Sequence, residues 1–295
     1  MRRLYRDLSE GALAALLLLP SFLLLGFVAA YPILKLFLTS LQDLHLALGS
    51  RGEWVGLANY HQLIADARFW NSLKTTLLIA LVTVPGAAVV GLVLALLANL
   101  PYAIKWPVRL GLLLPWAMPL VFSGLIFRWF FESDYGIIND WLRRLGIAPL
   151  FWLTDPTLAF WAICATIIWK TSSFVALVLL AGLQAIPREY YEAAQVDGAS
   201  SAQIFLRITL PLLTPSLLVA LIFRTLTALQ TFDIPYAMTG GGPGNATETL
   251  AMYVRTQSIE NLNLGFGSAL AVVLFALSML VTALYLRYLK GVESQ

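Results

Sequence analysis

Residues 186–203 read Ile186-Pro187-Arg188-Glu189-Tyr190-Tyr191-Glu192-Ala193-Ala194-Gln195-Val196-Asp197-Gly198-Ala199-Ser200-Ser201-Ala202-Gln203. Local chemistry predicts a helix, a turn and a second helix. Pro187 suits a first helical position, where no N–H is needed, and Glu189 suits the positive end of the helix dipole. Gly198 stands where a helix end takes a left-handed residue. Ser200 and Gln203 have the spacing of a capping box, opening a second short helix through Ile204, Phe205 and Ile208 towards Pro211. The segment is therefore an ordered, partly apolar knob. Taken alone, it is equally a helical hairpin lying on lipid.

Outward from this knob the chain is apolar in both directions. Hydrophobic residues fill 59% of 295 positions, charged residues only 12%, and the mean hydropathy is +0.79. Soluble domains carry about a quarter charged residues, so water-facing groups are in short supply and lipid is the solvent this composition needs. A helix of about 20 residues crosses the hydrocarbon core. Apolar segments of that order lie at about 11–34, 75–98, 108–130, 157–183, 208–232 and 263–287. They predict an all-α membrane protein with six transmembrane helices, in a single domain spanning 1–295. The knob, 186–207, joins the fourth span to the fifth. No repeat, low-complexity tract or linker interrupts this plan.

Six spans place both termini on one side. With the N-terminus inside, the inner segments hold Arg2, Arg3, Arg6, Lys105, Arg109, Arg188, Arg207, Arg287 and Lys290. The longer outer loops hold Arg51, Arg68, Arg143, Arg144 and Arg255. The positive-inside rule then makes both termini and the knob cytoplasmic. Arg2, Arg3 and Arg6 before an apolar run also suggest a signal peptide ending near Val28-Ala29-Ala30, but the run from Gly11 exceeds the usual apolar region of about 7–15 residues. The net charge of +3 forms no Lys/Arg run, so no nucleic-acid partner is expected.

Catalytic and metal-binding motifs do not emerge. Gly240-Gly241-Gly242-Pro243-Gly244 lacks the lysine of a phosphate loop and falls in an outer loop, where a turn is the better reading. Gly198-Ala199-Ser200-Ser201-Ala202 lies between helices, not after a strand as a nucleophile elbow requires. His45 and His61 have no acidic neighbour at metal spacing, and Cys164 is a small apolar filler.

Two charges inside the spans are more informative. A charge near the bilayer centre costs at least about 2.5–3.5 kcal/mol, so it faces a cavity or a partner. Lys170 lies in the polar run Trp169-Lys170-Thr171-Ser172-Ser173-Phe174 of the fourth span. On the fifth, Arg224, Thr227 and Thr231 fall at i, i+3 and i+7 on one helical face, flanked by Phe223 and Phe232. Hydroxyls and aromatic rings suit a carbohydrate. An alternative is that Lys170 and Arg224 pair with acids of a partner subunit. An ion-coupled transporter would want intramembrane carboxylates, and the spans offer only Asp233, at the end of the fifth.

Glu192-Ala193-Ala194, three residues, Gly198, nine residues, then Ile208-Thr209-Leu210-Pro211 resembles the EAA motif of ABC-importer permeases, with every spacing met. Phe232-Asp233-Ile234-Pro235-Tyr236-Ala237-Met238-Thr239 and the glycines that follow, with Thr247, Thr249 and Leu250, are similar to carbohydrate permeases of the maltose/trehalose family. Within the usual pair, the resemblance is to the maltose-first subunit, without the large outer insert some relatives carry after the second span. It implies the type I binding-protein-dependent permease fold with a cytoplasmic coupling helix, and ATPase-coupling positions at Glu192, Ala193, Ala194, Asp197 and Gly198. It implies sugar-contacting positions at Lys170, Thr171, Phe174, Arg224, Thr227, Ala228 and Thr231. The implied partners are a second, paralogous permease, two ATPase subunits that bind the ATP and Mg, and an extracytoplasmic sugar-binding protein. The chain itself would carry no cofactor, in a bacterial or archaeal inner membrane. The substrate would be a di- or oligosaccharide, with glycerol 3-phosphate or another polyol as the alternative.

Overall fold

The computed structural model describes residues 10–100 and 106–293. Arg2, Arg3, Arg6 and Lys105, used above for orientation, lie outside them. The helices are α1 (Glu10–Leu25), α2 (Tyr31–Ser40), α3 (Ala58–Ala65), α4 (Ala67–Asn99), α5 (Trp106–Ala117), α6 (Leu120–Phe130) and α7 (Ile137–Arg144). They continue as α8 (Pro156–Ala185), α9 (Arg188–Val196), α10 (Ser201–Ile204), α11 (Leu210–Leu229), α12 (Asp233–Thr239), α13 (Leu250–Arg255) and α14 (Leu264–Glu293). The only sheet among the described residues is a ribbon pairing β1 (Gln42–Asp43) with β2 (Glu53–Trp54).

Among the described residues, five continuous helical segments are long and apolar enough to cross a membrane: Gly11–Ser40, Ala67–Asn99, Pro156–Ala185, Ser201–Leu229 and Leu264–Arg287. The expected single span over 108–130 takes another form. It is α5 and α6, bent by 95° across a short break, and makes a sixth crossing only if the pair is taken together. Pro119 supplies no N–H and pushes Met118 out of the helical region, so the ladder stops there.

Other prolines are absorbed without a bend. Tyr31 and Leu210 each donate their N–H five residues back, to Gly26 and Phe205, and each precedes a proline. A π turn thus widens the helix where Pro32 and Pro211 enter. In consequence α10 does not end as a separate short helix. It runs through Phe205–Thr209 into α11 as one helix, Ser201–Leu229.

By internal contacts the chain forms two compact units. Among the described residues, one comprises 10–65 and 254–273. In it the Asn59 amide donates to the carbonyls of Ser40 and Gln42, both at 2.9 Å, and ties the end of α2 to the ribbon. The apolar face of Gly11–Ser40 is unburied, as a lipid-facing helix would be.

Among the described residues, the other unit comprises 66–100, 106–253 and 274–293, and α4 packed on α8 is its spine. Ala87, Ala95, Ala98 and Ala176 line this seam, all buried. At Gly91 an added Cβ would lie 2.7 Å from Val175 and 2.9 Å from the Ser172 carbonyl, so only glycine permits the approach. Small residues let helices close in lipid, where no hydrophobic drive pushes them together. α5 and α11 pack on the same spine, and α12 packs on α6. These contacts set the walls of the site.

Candidate functional site

Inside the second unit, the middle of α8, the end of α11, the α5–α6 break and the start of α12 enclose a cavity of about 540 Å³. Lys170, Thr171, Phe174, Arg224, Thr227 and Thr231 all line it. Ala228 does not. It is one step round α11 from Thr227 and is fully buried against Ala80, Val84 and Leu229.

The two cations are held differently. Lys170 donates from Nζ to the Trp116 carbonyl at 2.6 Å. The break after α5 leaves that carbonyl without its helical partner, and in lipid such a group must be satisfied. A lysine at a helix C-terminus also suits the dipole. Arg224, 4% exposed, donates from Nη1 to Thr227 Oγ1 at 2.8 Å and from Nη2 to Thr83 Oγ1 at 3.5 Å. Its Nε has no acceptor among the described residues.

The hydroxyls share one pattern. Thr171 donates to the Ile167 carbonyl at 2.6 Å, Thr227 to that of Phe223 at 3.0 Å, and Thr231 to that of Thr227 at 3.5 Å. Thr171 and Thr227 commit their protons to the backbone, so Thr171 offers its lone pairs and Thr227 the one that Arg224 leaves, while the long Thr231 bond leaves that hydroxyl able to donate or accept. Sugar hydroxyls, which donate and accept, suit all three. Phe174 and Phe223 meet edge to face at 6.2 Å and give the wall an apolar platform. The sequence stripe missed the α5–α6 contribution, which brings Trp116, Met118, Pro119 and Leu120 to the wall. Pro115 and Pro119 inside the shortest expected span were the available signal.

At the knob, α9 spans Arg188–Val196 with Pro187 at its N-cap, one place earlier than expected. Gly198 has φ +78°, its N–H donates to the Gln195 carbonyl at 3.1 Å, and Ala199 N–H donates to that of Ala194 at 2.9 Å. This is a Schellman end. The Ser200–Gln203 capping box is formed, with Gln203 accepting from the Ser200 N–H at 2.8 Å. Glu192, Ala193 and Ala194 sit on α9 and Asp197 caps it. Beneath the turn a hollow of about 300 Å³ is lined by Asp197, Gly198, Gln203 and Arg207 among others.

The glycine cluster is a turn after α12, held by a 2.7 Å bond between the Thr239 and Thr247 hydroxyls. Just beyond it, buried Glu248 accepts from Arg68 Nε and Nη2 at 2.8 and 2.7 Å. Arg68 also lies over the Tyr253 ring at 4.8 Å, and the Tyr253 hydroxyl donates to Asp66.

A helical membrane unit with a broken span, a largely apolar cavity bearing two cations and several hydroxyls, and an exposed helix–turn–helix knob fits a transport permease. The family described as binding-protein-dependent transport system inner membrane component matches residues 87–293, and the chain belongs to it, in its carbohydrate-importing branch. A sulfoquinovosyl glycerol transport system permease from Agrobacterium fabrum is 58% identical over 284 residues, covering 96% of this chain and 92% of that one. A trehalose/maltose permease from Thermococcus litoralis is 40% identical over 281 residues, covering 94% of each. A crystal structure of a bacterial alginate ABC transporter superposes at TM-score 0.82 with 22% identity, covering 96% of both chains, and so shares the fold. The chain is thus a multi-pass inner-membrane permease of an ABC importer for sugars. It is a non-catalytic component, and ATP is hydrolysed by a separate ATPase.

Proposed function

We propose that the cavity between α8 and α11 is this chain's part of the sugar pathway and that the Gly198 turn transmits the ATPase stroke to it. One observation carries the reading: Lys170, Thr171, Phe174, Arg224, Thr227 and Thr231, from two separate helices, converge on a single cavity. The pathway's other half comes from a paralogous permease. Two ATPase subunits receive the face bearing Glu192, Ala193, Ala194, Asp197 and Gly198, and an extracytoplasmic binding protein delivers the sugar. Both termini are cytoplasmic, in a bacterial or archaeal membrane. The substrate is a glycoside of two or more units, in keeping with what the relatives are described as carrying: sulfoquinovosyl glycerol, trehalose/maltose and diacetylchitobiose.

A cysteine at Thr227 tests this, because the one native cysteine, Cys164, is buried. In the assembled importer a small maleimide should label that cysteine, and sulfoquinovosyl glycerol or trehalose should slow the labelling several-fold. Labelling unaffected by every transported sugar would sink the reading.

A further inference from the structure

The cavity wall carries more positive charge than negative. Lys170 and Arg224 line it, Asp233 is the one carboxylate among the lining residues, and neither cation forms an ion pair among the described residues. Two cations less one carboxylate leave this chain's side of the cavity with a net charge of +1. Lys170 spends a proton on the Trp116 carbonyl but keeps its charge. Arg224 is the more demanding group. Its partners are two neutral hydroxyls, one of them at 3.5 Å, and its buried Nε–H has none. A guanidinium in a membrane interior with an open donor calls for an acceptor, and best for one that also cancels its charge. A neutral sugar would supply the acceptor and leave the charge. An oxyanion supplies both, because the Nε and Nη donors form a planar fork that two oxygens of one acid group can meet.

We infer that the substrate class of this cavity is an acidic glycoside carrying one singly charged oxyanion, a sulfonate or a carboxylate. Arg224 takes the anion, Lys170 adds its field, and the sugar ring lies against Phe174 and Phe223. This chain's share of the wall, at net +1, matches a monoanion better than a phosphate monoester, which carries about −1.5 to −2. The inference rests on the cavity being the sugar pathway, and it adds what the pathway selects.

The test uses the purified permease–ATPase complex in nanodiscs without its binding protein, whose own selectivity would mask the cavity's. Three probes differ at one position: glucosyl glycerol with its 6-hydroxyl, the 6-carboxylate and the 6-sulfonate. The two monoanions should displace labelled 6-sulfonate at about tenfold lower concentration than the neutral probe, the size of one charge-assisted hydrogen bond. Arg224→Gln should bring the three together, and Arg224→Lys should keep part of the preference. A neutral probe that binds as well as the anions overturns the inference, as does a preference that survives Arg224→Gln in an assembled complex. If Arg224→Gln does not assemble, the wild-type series and Arg224→Lys decide alone. Equal binding of all three, weakened alike by Phe174→Ala, defeats the anion and leaves the sugar pathway standing. Absence of binding by any glycoside defeats both.

Discussion

Gly198 offers a graded test of the coupling turn. At φ +78° an L side chain is strained by about 1–2 kcal/mol, and a β-branched one by more. A Cβ built there meets no heavy atom within 4 Å, so the cost within this chain is backbone strain and not collision. Asparagine visits the left-handed region readily, alanine less so, and valine least. A penalty of this size shifts the equilibrium of the turn by a factor of about 5–30, against the two Schellman bonds and the capping box that hold it. The variants Gly198→Asn, Gly198→Ala and Gly198→Val should therefore assemble normally, since the turn is exposed. Sugar-stimulated ATPase and uptake in proteoliposomes should fall in that order, several-fold for valine, with basal ATPase little changed. If asparagine harmed coupling more than alanine, bulk against the ATPase and not backbone geometry would set the effect. Full coupling in Gly198→Val would refute the reasoning.

Two further perturbations address what holds the site open. Lys170→Met strips the charged donor from the Trp116 carbonyl, at a cost of about 2 kcal/mol, and should lower the Tm of the purified complex by loosening the α5–α6 bend; an unchanged Tm would contradict that role. Glu248→Gln weakens the two-pronged Arg68 contact at a buried position, and a loss of about 1–3 kcal/mol should appear as a lower Tm that salt does not mimic. A wild-type Tm in that variant would show the pair to be dispensable.

Much of this was legible in the sequence because lipid leaves few options. Backbone groups must close on themselves, so charge-free runs had to become helices, and the polar residues left within them had to gather on inward faces. The stripe Arg224, Thr227, Thr231 followed from helical periodicity alone, and the Gly198 end and the Ser200–Gln203 box followed from short-range chemistry. What escaped was set by neighbours. The α5–α6 bend depends on whether another element accepts the freed carbonyl of Trp116, and Lys170 does so from 54 residues away. The continuity of Ser201–Leu229 depends on a π turn absorbing Pro211, which composition does not announce. Ala228 was placed at the site by resemblance, and it faces α4 because one residue turns a helix by about 100°.

The central claim is that sugar crosses this chain along the face shared by α8 and α11, and uptake kinetics of Phe174→Ala and Thr231→Val in fully assembled importer test it most directly. Thr231→Val removes one acceptor with little change of volume and should weaken sugar handling several-fold, about 1 kcal/mol. Phe174→Ala removes the ring platform and should cost more, with assembly and basal ATPase intact in both. Wild-type uptake kinetics in both variants would place the pathway on another face.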